Sequence, residues 1–167
     1  MRSQALNNFC AWLEQTPLSQ TIQTTAWVVP TVQTVHILAI AAVVSSVLMI
    51  DLRLIGMLGR DQPLARVSGR FRPVIWWALP ILLATGAIMI TGEPARSLMS
   101  PVFQLKMALL ATAIIVTLCY QVPLGRDASF WDDANGRRGV ARILAVLSLL
   151  LWAGIVFAGR WIAFYDK

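Results

Sequence analysis

One residue in this chain sets an ionisable ring inside a long apolar run. It is His36, in QTVHILAIAAVV, the only histidine among 167 residues. Ionisable groups in such runs are costly and tend to face the interior of a helical bundle. Three kinds of chemistry are open to a lone imidazole there. It can be a structural residue hydrogen-bonded within the bundle, an axial ligand to haem iron, or a copper ligand helped by thioether sulfurs. Lys106, in FQLKMALL, is the second ionisable group set among apolar residues.

A single histidine excludes a bis-histidine cytochrome within one chain, and a zinc centre with several histidine ligands. Met89, Met99 and Met107 fall towards the same end as His36 but form no tight cluster, which is a weak copper signature. No Ser/His/Asp or Cys/His spacing suggests nucleophilic catalysis. A proton path through His36 and Lys106 lacks the carboxylates usual in such relays. Asp51 reads as an interface charge paired with Arg53 or its neighbours. Cys10 and Cys119 are far apart and form no CxxC, so both are expected to be free and inert.

Helical periodicity groups these residues further. At about 100° per residue, Gln33 falls about 60° from His36. Val29, Val32, Ala39, Ile40 and Val43 share that wedge, and Gln33 is placed to hydrogen-bond one imidazole nitrogen and orient the other. Ala113, Thr117, Tyr120 and Gln121 lie within about 60° of Lys106. A face with that polarity should look inward, although a lysine near a span end can also snorkel to the surface. Ser148, Trp152, Ile155 and Gly159 form another face, suited to lining a flat cavity or to plain helix packing. The pairs Ala41/Ser45 and Ala42/Ser46 are assigned to close helix contact.

The elements that must position these groups follow from composition. Hydrophobic residues make up 57% of the chain and charged residues 13%, with mean hydropathy +0.68. A water-exposed surface of ordinary polarity, with roughly 25% charged residues, cannot be built from this. The expected fold is an all-α integral membrane four-helix bundle in one domain, with spans at residues 27–50, 74–91, 102–122 and 143–163. Leu6, Phe9, Trp12 and Leu13 recur at helical spacing, predicting a short interfacial amphipathic helix over residues 3–15. No cleavable leader is expected. Pro17 should open a further helix, and Pro30 is placed to kink the first span.

The net charge of +6 comes from arginines clustered between the apolar segments, which fits a membrane surface and not nucleic acid. Arg53, Arg60, Arg66, Arg70 and Arg72 fill the first connection; Arg126, Arg137, Arg138 and Arg142 fill or border the third. The positive-inside rule makes that side cytoplasmic and puts both termini outside, in a bacterial inner membrane. Trp27 and Trp161 then belong to the outer aromatic belt, and Trp76 and Trp77 to the inner one.

Four spans, one histidine in the first and the lysine of FQLKMALL opening the third resemble a group of small bacterial membrane proteins. The group includes the protoporphyrinogen oxidase of the HemJ kind and the copper-resistance CopD domain. The resemblance covers the four-span plan, residues 27–163. It implies haem b held by a first-span histidine and a third-span lysine, which here are His36 and Lys106. The leading expectation is therefore a haem b-binding membrane protein for electron transfer or a porphyrin- or quinone-linked oxidation. His36 would be the axial ligand and Lys106 the opposite ligand or a propionate partner, with Gln33, Trp152 and Tyr120 lining the site. The rivals are a copper-handling membrane protein and a cofactor-free anchor or subunit of a membrane complex. A second copy of the chain is a further expected partner beside the lipid bilayer.

Overall fold

A proline after a hydroxyl residue is a helix start, because the proline lacks only an N–H that the first turn leaves unbonded. In the computed structural model, which describes residues 2–58, 63–126, 131 and 137–165, Thr16 and Pro17 act in this way. Thr16 Oγ1 accepts a hydrogen bond from the Ser19 backbone N–H at 3.3 Å, and Pro17 opens α2 (Pro17–Thr24). Before it runs α1 (Arg2–Glu14), which exposes Phe9 and Trp12 and buries Cys10.

Four long helices follow: α3 (Val28–Ile55), α4 (Leu64–Gly92), α6 (Pro101–Arg126) and α7 (Arg137–Tyr165), with the short α5 (Pro94–Leu98) between the second and third. Each long helix contains a stretch apolar and long enough to cross a bilayer. Among the described residues there is no strand. The protein is an all-α multi-pass membrane bundle with an amphipathic helix at its N-terminus.

The helices overrun the apolar segments that announce them. α4 starts at Leu64 and passes through both Pro73 and Pro80, and α6 passes through Pro123. Proline forfeits one backbone bond, but neighbouring helices and hydroxyl side chains re-satisfy the freed groups in a membrane bundle. Pro30 does not interrupt α3. It lies in the first turn, where its missing N–H costs nothing. At the other end of α3, Gly56 adopts φ 86°, and its N–H returns to the Leu52 and Arg53 carbonyls. A residue with a Cβ is strained in that conformation.

α3 pairs along its length with α4, α6 pairs with α7, and the two pairs join through α3 and α7. α4 and α6 scarcely touch, so the bundle is closed on one side and loosely closed on the other. Val43, Val47 and Ile50 of α3, Ala113 and Tyr120 of α6, and Ala145 and Trp152 of α7 form the core. Large apolar side chains also point outward, among them Leu38, Trp77, Leu150 and Phe157. That surface suits lipid contact.

The N-terminal helices dock at the His36 end of the bundle. Ser19 Oγ donates to the Thr91 carbonyl and Gln23 Nε2 to the Gly92 carbonyl, both at 2.8 Å. These are among the last carbonyls of α4, which have no partner within their own helix. A Cβ on Gly92 would come within 2.9 Å of Ile22 Cγ2, so α2 packs as closely as a glycine allows.

Candidate functional site

His36 lies near the start of α3 and faces α4. Its Nδ1 is 2.8 Å from Thr85 Oγ1. The single Thr85 hydroxyl proton is committed to backbone, since Oγ1 lies 2.7 Å from the Ile81 carbonyl and 3.1 Å from that of Leu82. Thr85 Oγ1 therefore accepts from His36, which fixes the neutral ring with its proton on Nδ1. The ring also lies within hydrogen-bonding reach of the Leu82 backbone, and with the proton on Nδ1 it is Nε2 that keeps a lone pair. That is the arrangement in which a histidine ligand is held by one nitrogen and presents the other.

Lys106 enters from the opposite helix pair. Its aliphatic end lies along α7, where a Cβ on Gly159 would meet Lys106 Nζ and Cε at 3.6 Å. The side chain is half-buried, makes no ion pair or hydrogen bond among the described residues, and lies within electrostatic reach of His36. It points into the bundle and does not snorkel outward. His36 also stands against a glycine, with Cε1 3.5 Å from where a Gly86 Cβ would be. Two nitrogen-bearing side chains, each with a glycine beside it, thus lie within electrostatic reach of one another from different helix pairs.

The other expected site residues are not all brought to this place. Gln33 is exposed, and the acceptor that orients His36 is Thr85, on a different helix. A wedge of about 60° on a helical wheel reaches from the interior to the lipid face, so sharing it did not make Gln33 a partner. Tyr120 is fully buried, but about 21 Å from Lys106 along α6 at 1.5 Å per residue. Trp152 lies between these levels on α7, buried, with Nε1 unpartnered. Of the methionines, Met99 and Met107 are exposed. Ala42 and Ser46 face inward as packing residues, whereas Ala41 and Ser45 are exposed.

Asp51 corrects a further expectation. It is no interface charge: its exposure is 0%, and it forms no ion pair with Arg53 or any other described residue. Its surroundings are Tyr120 of α6 and Ser148 of α7. Residues 64–73, which the apolar pattern leaves in a loop, extend α4 past that level and bury Leu64 and Ser68.

A groove of about 540 Å³ lies elsewhere, between α3 and α7. Val44, Leu48, Val156 and Phe157 line it, and it opens to the lipid side without including His36 or Lys106. Among the described residues, no three His, Cys, Asp or Glu side chains converge on a metal-ion cage. Haem ligation makes no such demand, since one imidazole suffices.

Comparison with known families places this architecture. The chain matches a family of unknown function, DUF6644, over residues 9–165. It belongs to that family. The match takes in all four long helices, and with them His36, Thr85, Lys106 and Asp51, so both polar clusters of this DUF6644 protein lie inside the matched region. No curated protein and no solved structure matches the chain.

Proposed function

We propose that this membrane protein binds one haem b between its two helix pairs and serves electron transfer or a porphyrin- or quinone-linked oxidation. The observation that carries this reading is how α4 holds His36: Nδ1 lies 2.8 Å from Thr85 Oγ1, with the Leu82 backbone also in reach, and a ring protonated on Nδ1 would present the lone pair of Nε2. Lys106, inward-pointing and without an acceptor among the described residues, would hold a propionate or bind the iron. Gly86 and Gly159 keep a Cβ out of the space beside each ligand.

Bound haem would supply one-electron chemistry at iron. The chain's own contributions are distinct from it. Thr85 holds the imidazole plane and its tautomer. Lys106 brings a positive charge from the opposite wall, and the apolar residues of α3 and α6 exclude water. This set of groups can position a planar, anionic, apolar-bodied ligand.

The test is the visible spectrum of the protein purified in detergent. A Soret band in the wild type that is absent from His36→Ala is the expected result. A colourless wild type that also fails to take up added haemin would rule the reading out.

A further inference from the structure

Near the end of α7, aromatic and basic side chains stand together on the lipid side. Phe157 and Trp161, one turn apart, stack with ring centroids 5.5 Å apart, and Arg160 is exposed beside them. They occupy the last turn of the apolar span Arg137–Trp161, where such side chains meet lipid headgroups. Arg160 and Phe157 also line the groove of about 540 Å³ between α3 and α7. Val47 and Trp152 are buried at its floor, and Leu48, Val156 and Phe157 are exposed along it. Among the described residues that line the groove, Arg160 alone is charged.

From Leu149 to Arg160 the groove runs about 16 Å along α7, at 1.5 Å per residue. The hydrocarbon of one leaflet is about 15 Å deep, half of a core about 30 Å thick. An apolar cleft of that length, headed by an arginine at the headgroup level, matches one lipid molecule in both size and charge. We propose that the α3–α7 groove binds an anionic phospholipid, with one acyl chain lying on Val47 and Trp152 and the phosphate held by Arg160. A guanidinium has five donors, so Arg160 can take two phosphate oxygens side by side in addition to the contact it makes within the chain. A zwitterionic headgroup carries an ammonium beside its phosphate, which repels the same guanidinium.

Other occupants fit less well. Close approach of a second copy calls for small residues at the seam, but Ala153 is the only small side chain lining the groove. A neutral isoprenoid would fill the cleft and give Arg160 nothing of opposite charge. At this end of the bundle Arg96 pairs with Glu93 at 3.0 Å and Lys106 points inward, so neither competes for the headgroup. The groove is also separate from the His36–Lys106 cluster. Gly159, against which Lys106 lies, faces α6, and Arg160 is about 100° further round α7.

The experiment is a titration of the full-length protein in detergent with lipid in mixed micelles, read by Tm. Dioleoyl phosphatidylglycerol should raise Tm saturably, as a ligand bound only to the folded state must. Phosphatidylcholine with the same chains should half-saturate at a concentration on the order of tenfold higher, the effect of losing a charged hydrogen bond. Glycerol phosphate, which has the phosphate without the chains, should give no shift. Arg160→Gln should reduce the phosphatidylglycerol response to that of phosphatidylcholine, and Ala153→Phe, which fills the cleft, should abolish both. Native mass spectrometry of the wild type gives a readout that needs no variant: one phospholipid retained per chain, anionic in preference to zwitterionic. Equal responses to the two lipids in the wild type would overturn the site. So would a preference that persists in a folded Arg160→Gln, a response that survives Ala153→Phe, or a retained neutral isoprenoid in place of phospholipid.

Discussion

Nδ1 of His36 is held 2.8 Å from the hydroxyl of a single threonine on the neighbouring helix, and that contact favours the tautomer with its lone pair on Nε2. Thr85→Val keeps the side-chain shape but removes the acceptor. The ring is then free to rotate and to exchange tautomers. Haemin affinity, measured by titration in detergent, is expected to fall about 10–100-fold, the usual effect of losing the group that orients a ligand. Unchanged affinity in a folded Thr85→Val would mean that the hydrogen bond is structural only. The sequence made His36 and Lys106 conspicuous, because each is an ionisable side chain in an apolar run. It could not show Thr85, which is 49 positions away along the chain and reads as an ordinary hydroxyl in an apolar helix. Asp51 was misread for a different reason. Its arginine neighbours in sequence suggested an interface, whereas the helices packed over it come from other parts of the chain.

Helix faces were more legible than helix ends. The inward face of α6 follows from Ala113, Thr117, Tyr120 and Gln121 at helical spacing, and all four are buried. On α7, Ser148, Trp152 and Ile155 are buried likewise. Ends were harder, because prolines within an apolar helix look like stops yet are carried through, as at Pro73 and Pro123. The docking of α2 on α4 was not visible in the sequence, since it depends on two carbonyls and one glycine. Gly92→Ala would place its Cβ 2.9 Å from Ile22 Cγ2, and overpacking of this kind costs about 1–3 kcal/mol. A lower Tm in detergent is expected, with recovery when Ile22→Ala is added, because the two residues are in contact. A Gly92→Ala protein as stable as wild type would show that α2 is not held at this point.

At the scale of the whole molecule, two helix pairs join tightly through α3 and α7 and stay apart at α4 and α6. His36 and Lys106 lie within electrostatic reach of one another from different pairs, and the closed side carries the Asp51 cluster between three helices. Composition and four apolar segments announced a membrane bundle. The asymmetry of its closure comes from tertiary packing alone. Arg53, Arg66, Arg70, Arg72, Arg137, Arg138 and Arg142 gather at the end remote from His36, which we propose, from the positive-inside rule, as the cytoplasmic one. An alkaline phosphatase fused after Lys167 is therefore expected to be active, and one inserted in the α3–α4 connection inactive. The reverse pattern would invert the orientation.

The central claim is that Nε2 of His36 is a haem ligand, and replacing the imidazole with a free one tests it most directly. His36→Gly, purified in detergent and mixed with haemin, should lack the wild-type Soret band and regain it when imidazole is added to the buffer. A His36→Gly protein that binds haemin with the wild-type spectrum and no added imidazole would contradict the account.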